Sequence, residues 1–183
     1  MSSQQEALSS SLEELKKEAS SPQKEGKQNS GERSQLIVFK LAGEEYALPI
    51  DQVKEVVLTP RLAHVPHTPP YILGAANIRG SVIAIMDLEH KFQLSDRIVD
   101  VKVQEHYSLV IENEKFKVGV LVKEVPNTLS IEAEDIDDSK EVLQFSSLKE
   151  ECVRGIAKVG DRMIILLDII AMLEIDDASN AGI

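Results

Sequence analysis

From residue 35 onward the apolar positions fall into runs of five to seven residues, each broken by a turn signal. Leu36-Ile37-Val38-Phe39-Lys40-Leu41 and Tyr46-Ala47-Leu48-Pro49-Ile50 flank Ala42-Gly43-Glu44-Glu45, which reads as a hairpin. Ile72 to Ile78 and Val82 to Met86 are joined in the same way through Arg79-Gly80-Ser81. Tyr107 to Ile111 and Phe116 to Val122 flank Glu112-Asn113-Glu114-Lys115, and Val153 to Val159 and Met163 to Leu167 flank Gly160-Asp161. After the first hairpin, Asp51 reads as the cap of a helical turn carrying Val53, Val56 and Val57. Leu62 to Pro70 is extended, because its three prolines forbid regular helix. No long amphipathic helix separates the runs, which favours barrels or sandwiches over a parallel α/β sheet.

The pattern also repeats. Gly74-Ile78-Ile83-Asp87 and Gly155-Val159-Ile164-Asp168 superimpose at a constant offset of 81, with Ala76 on Ala157, Ile85 on Leu166 and Leu88 on Ile169. The opening hairpins correspond as well: Tyr46 matches Phe116 at an offset of 70, and Val53-Lys54-Glu55-Val56 echoes Val122-Lys123-Glu124-Val125 at 69. Each half reads as hairpin, short bend, long connection, hairpin, aspartate, short helix. Half a body, about 70 residues, buries little core alone, so two similar small barrels should pack together or interlock.

Composition divides the chain. Of its 53 Leu, Val and Ile residues, only Leu8, Leu12 and Leu15 precede residue 35, in a segment that also holds nine serines. Residues 1–34 are therefore expected to be a disordered tail. Within it, Ser11-Leu12-Glu13-Glu14 fits a capping box, and Leu8, Leu12, Leu15 and Ala19 share one helical face. About two turns of helix are expected to flicker there or to dock on a partner. The body is assigned to residues 35–175 and a flexible C-terminus to 176–183. Val and Ile outnumber Leu by 34 to 19, which again favours strands.

The net charge of −11 would repel a phosphate backbone, which moves nucleic acid and anionic lipid far down the order of partners. One cysteine, Cys152, excludes an internal disulfide framework and reads as a structural thiol in a reducing compartment. The first residues have neither the basic nor the apolar region of a signal peptide, and no apolar run approaches a membrane span. The expectation is a soluble, cytoplasmic chain with no membrane insertion. Catalytic templates fail in turn. His64 and His67 are off any helix face and lack a near third ligand. Asp135-Ile136-Asp137-Asp138-Ser139 begins like a calcium loop, but places Lys140 where a glycine must turn the chain and Ser146 where a bidentate Glu is needed. No phosphate-cradling loop and no nucleophile elbow occurs. The expected protein has no cofactor, is not an enzyme, and works by binding.

Residues 35–174 resemble the CheW-like coupling domains of bacterial chemotaxis. The resemblance runs through Val38-Phe39-Lys40-Leu41-Ala42-Gly43-Glu44-Glu45-Tyr46 and Val53-Lys54-Glu55-Val56. It is strongest at Pro69-Pro70-Tyr71-Ile72-Leu73-Gly74-Ala75-Ala76-Asn77-Ile78-Arg79-Gly80, followed by Val82-Ile83-Ala84-Ile85-Met86-Asp87-Leu88. The second half matches at Leu129-Ser130-Ile131 and from Gly155 to Asp168. Two positions depart: Ala84 stands where the family usually has proline, and Glu89 where a basic residue often follows. The resemblance implies two interlocked five-stranded SH3-like barrels and a non-catalytic adaptor. That adaptor would link the cytoplasmic tip of a chemoreceptor to the CheW-like regulatory domain of a histidine kinase, in chemotaxis or in a twitching-motility or developmental pathway. An adaptor-plus-receiver fusion is not expected, and an SH3-like module for proline-rich peptides is disfavoured by the lack of Trp. Partner-binding residues implied on this basis are Val53, Glu55, Val56, Ile78, Arg79 and Gly80. Arg79 is expected to pair with Glu55 or a receptor oxygen, beside a helix-binding groove between the barrels lined by Val53 and Val56.

Overall fold

The computed structural model of the chain describes Glu13, Lys16 and residues 33–94, 105–138 and 152–180. The expected disorder of residues 1–34, and positions 140 and 146 of the acidic loop, otherwise lie outside the described residues. All four expected hairpins form. They pair β1 (Arg33–Leu41) with β2 (Glu44–Pro49), β4 (Ile72–Ile78) with β5 (Ser81–Met86), β6 (Tyr107–Glu112) with β7 (Lys117–Val122), and β10 (Val153–Val159) with β11 (Arg162–Leu167). Three more strands complete the sheets: β3 (Val53–Leu58), β8 (Asn127–Glu132) and the two-residue β9 (Ile136–Asp137).

The strand orders are β3-β6-β7-β5-β4 in one sheet and β8-β1-β2-β11-β10-β9 in the other. Each sheet therefore takes its opening hairpin from one half of the chain and its closing hairpin from the other. The joints are the two parallel pairings, β5 with β7 and β2 with β11. The barrels are interlocked, and neither half owns one.

Strand register gives the duplication its true ruler. Ala76 faces Ile83 and Ala157 faces Ile164, an offset of 81 on both strands, and the irregularity at Ile72/Gly74 recurs at Val153/Gly155. In the opening hairpins Phe39 faces Tyr46 and Ile111 faces Val118, an offset of 72. Outside them, Val38 faces Asn127 and Val110 faces Glu55, again 72 apart. The offsets of 70 and 69 are corrected accordingly. Val122 ends β7, and Lys123-Glu124 form the turn after it, so they are not the counterparts of β3.

The expected helical turn after Asp51 is also corrected. Only a 3-10 turn, Ile50–Gln52, precedes β3. Val53, Val56 and Val57 are strand residues, consistent with the stiffness of β-branched side chains. A register shift between Val53 and Glu55 lets Val53 and Val56 share a face although they are three positions apart. Both join the large core between the sheets, with Phe39, Tyr46, Leu48, Met86, Leu109 and Leu167. Val57 points the other way, into the barrel interior with Ile78, Ile83, Ile85 and Val110. The second barrel has a matching interior, including Val38, Ala157, Ile164 and Leu166.

The aspartate that follows each closing hairpin caps a helix, as the repeat implied. Asp87 accepts the His90 N–H at 3.3 Å to open α1 (Leu88–Lys91). Asp168 accepts the Ala171 N–H at 3.0 Å in the first turn of α2 (Ile169–Asn180). Helix α2 runs on past residue 175. Its Asp176 takes hydrogen bonds from Lys91 Nζ at 2.5 Å and Tyr71 Oη at 3.3 Å, so the boundary expected at 176 falls inside a docked helix.

Glu89, noted for its departure from the family pattern, does not lie at a contact edge. Its side chain is 7% exposed; it accepts the Ala42 N–H at 2.9 Å and Lys123 Nζ at 2.5 Å. It thereby ties α1 to the β1–β2 turn and to the turn after β7. Glu89→Lys should place an ammonium against Lys123 and strand the Ala42 donor, costing about 2 kcal/mol or more. A thermal melt of this variant checks the assignment: a drop of several degrees is expected, and an unchanged midpoint would contradict it.

Candidate functional site

The hairpin β4–β5 closes through a two-residue turn. Ile78 faces Ser81, and the turn residues Arg79 and Gly80 have φ of 50° and 85°. Positive φ at both positions is the type I′ geometry, whose twist matches that of the flanking strands. Asn77 Oδ1 accepts the Gly80 N–H at 3.0 Å and holds the turn shut. Glycine suits the second position; Arg79 sits in a left-handed conformation that ordinary side chains visit at a cost of about 1 kcal/mol or more.

Arg79 reaches across the seam of its barrel. Strands β3 and β4 are the outer strands of the five-stranded sheet, and Arg79 Nε donates to Glu55 Oε2 at 2.6 Å. The Glu55 side chain is 14% exposed, whereas that of Arg79 is 68% exposed. Among the described residues Glu55 is Arg79's one charged partner, and only Nε is engaged. The rest of the guanidinium, with its planar fork of N–H donors, faces solvent.

A second arginine shows what a fully committed one looks like. Arg162 begins β11 and grips Glu45 of β2 with both Nε and Nη2, at 2.8 and 2.7 Å. Those bonds hold the Glu45 carboxyl below its usual pKa. The outer face near the seam is also committed. Lys54 of β3 and Lys117 of β7 both bond Glu112 of β6, at 2.6 and 3.2 Å, and Lys117 continues to Ser81 of β5 at 3.2 Å. The two lysines hold the Glu112 carboxyl below its ordinary range.

Of the six residues named from the sequence, the structure brings Glu55 and Arg79 into contact and places Gly80 beside them in the turn. Val53, Val56 and Ile78 are buried. The expected groove floored by Val53 and Val56 is therefore corrected, because the bulge in β3 turns both valines into the shared core. Val82 was missed. It faces Asn77 across the hairpin and is 73% exposed. The inward placement of Ile83 and Ile85 was a signal for it, since alternation sends Val82 outward. Met163, at the same place in the other closing hairpin, is likewise exposed.

The duplication isolates the ion pair. At the offsets fixed by register, the counterparts of Glu55 and Arg79 are Asn127 and Gly160. The other barrel carries the same strands without this pair, so the architecture does not require it.

These features define a duplicated pair of interlocked β-barrels with one solvent-facing arginine at a seam. The CheW-like domain family matches residues 35–177. The chain is 31% identical to the chemotaxis protein CheW of Helicobacter pylori over 165 residues, covering 90% of this chain and 95% of that one. It is 32% identical to a probable chemotaxis protein CheW of Rhizobium etli over 145 residues, covering 79% and 89%. It also superimposes on the crystal structure of the scaffolding protein TtCheW from Thermoanaerobacter tengcongensis, with a TM-score of 0.65 and 30% identity, covering 80% and 91% of the two chains. The chain belongs to the CheW-like family of chemotaxis scaffold proteins.

Because the ion pair is exposed on the arginine side, Arg79→Ala should lower stability by less than about 1 kcal/mol. A melt within a few degrees of wild type is the expected result; a collapse would make Arg79 a structural residue.

Proposed function

We propose that the protein is a non-catalytic adaptor that couples chemoreceptor cytoplasmic tips to a histidine kinase carrying its own CheW-like domain. Family membership across the whole body supports the adaptor reading. The observation that carries the site is Arg79: a strained, solvent-facing arginine, half engaged by Glu55, at a seam whose twin closes without it.

Receptor tips are helical hairpins in this reading, and their polar side chains and terminal carbonyls are natural acceptors for a guanidinium fork. Glu55 fixes the fork's direction from behind. Val82 and Asn77 supply a small apolar and polar surface beside it. Val53, Val56 and Ile78 act from beneath, by packing the strands that carry the pair. Signalling needs no chemistry at this surface. It requires contacts that differ between the kinase-on and kinase-off assemblies, typically by about 1–3 kcal/mol.

The test uses purified adaptor, receptor-tip fragment and cognate kinase. Wild-type adaptor should raise receptor-dependent autophosphorylation and hydrolyse no ATP itself. Arg79→Ala should bind the receptor fragment more than about tenfold more weakly and lose the activation with it. Unchanged affinity in a normally folded variant would put the receptor site elsewhere. Wild-type protein that leaves the kinase unaffected would contradict the adaptor reading.

A further inference from the structure

Among the described residues four outer strands border the two sheets, β3 and β4 in one, β8 and β9 in the other. An outer strand presents unpaired N–H and C=O groups, and folded chains blunt such edges by shortening, bulging, charging or covering them. Three of these four are blunted. Strand β3 is bulged between Val53 and Glu55 and carries the half-exposed Lys54. Strand β4 is covered at Ala75 by a bridge to Ala63, with the two amides and carbonyls bonded reciprocally at 2.8 Å. Strand β9 is two residues long. Strand β8 has none of these protections. It pairs with β1 in unbroken register, from Asn127 against Val38 to Glu132 against Arg33, and contains neither lysine nor proline. Its one charge, Glu132, lies at the strand end and is held by Arg33 at 2.7 Å.

The free edge of β8 also borders a cleft. The second barrel closes through β9, which pairs with Ile156 and Ala157 of β10. Beyond that pairing, a cleft of about 440 Å³ is lined by Ser130 to Glu132 of β8 and by Lys158 to Gly160, together with Arg33 and Asp135. Successive residues of a strand point to opposite faces, so a cleft lined by three in a row meets the strand along its edge. The volume falls within the range of ligand pockets, about 300–1,000 Å³. In the first barrel Arg79 and Glu55 span the matching seam; here their counterparts are Gly160 and Asn127.

Charge selects the occupant. Arg33 is engaged by Glu132, and Lys158 Nζ lies 3.8 Å from Asp137 Oδ2. Asp135, exposed in the 3-10 turn after β8, has no partner among the described residues. A second copy of a chain with net charge −11 is repelled from this edge, whereas a basic segment is drawn to it. We propose that β8 takes an extended segment of a partner protein by strand addition, with a basic side chain of that segment set against Asp135. Backbone pairing supplies the affinity, and the side-chain contact supplies the choice of partner. The site lies on the other barrel from Glu55 and Arg79, so it stands apart from the receptor reading.

The probe is the capped peptide Thr-Val-Thr-Arg-Thr-Val, titrated into the isotope-labelled full-length chain with amide exchange read residue by residue. At about 10 mM peptide, exchange of the free-edge amides between Asn127 and Glu132 should slow about fivefold or more. Ser130→Lys charges the edge as Lys54 charges β3, and should abolish this protection while melting within a few degrees of wild type. Thr128→Lys, at the other exposed position, should do the same. Asp135→Asn should weaken binding of the peptide about threefold, to the level of a peptide with Gln in place of Arg. No protection on β8, or protection on β3 or β4 instead, would overturn the strand addition. Equal binding of the Arg and Gln peptides by wild type would overturn the role of Asp135. Dimers protected at β8 in the absence of peptide would overturn the choice of occupant in favour of a second copy.

Discussion

The structure depends on two short parallel pairings, β5 beside β7 and β2 beside β11. They connect strands from opposite halves of the chain, so each sheet is incomplete until both halves are in place. The largest core lies between the sheets and takes residues from both halves, Phe39 and Tyr46 from the first, Leu109 and Leu167 from the second. Pairings between such distant parts of the chain carry a loop-closure entropy that burial of the shared core must offset. The consequence for function is positional. Glu55 stands on one outer strand of a sheet and Arg79 in the turn that ends the other, yet that sheet is held by β6 and β7 from the other half.

Much of this was legible in the chain. The four hairpins follow from apolar runs and turn residues, and the closing-hairpin repeat at 81 is correct to the bulge. The opening-hairpin offset was read two residues short, for a physical reason. Side chains alternate with period two, so a slip of two keeps every residue on its face and leaves the pattern unchanged. Only hydrogen-bonded register separates 70 from 72. The reading of β3 as a helical turn has a related cause. Val53, Val56 and Val57 have helical spacing, and a bulged strand buried on both faces presents the same three residues inward.

The candidate site divides along the same line. The meeting of Arg79 and Glu55 across 24 residues was one of the two pairings expected for the arginine, and the 2.6 Å bond is present. The apolar floor was not where it was expected, because polarity alone does not tell a core valine from a groove valine. Glu89 repeats the lesson in reverse: a charged residue that departs from the family pattern sits inside, satisfied by a turn amide and a lysine. Nothing in a linear pattern announces that a carboxylate is enclosed. The exposed Val82 is the one contact candidate that alternation would have identified.

The account centres on the outward half of one guanidinium. Arg162 closes its fork on Glu45, whereas Arg79 gives Glu55 a single N–H. Arg79→Lys separates the two roles, since a lysine keeps a charge near Glu55 but has no planar fork to offer a partner. The decisive measurement is the affinity of this variant for a receptor-tip fragment, taken beside its thermal melt. An unchanged melt with binding weakened about tenfold is the predicted result. Wild-type affinity in the lysine variant would contradict the account, reducing Arg79 to a charge that holds Glu55.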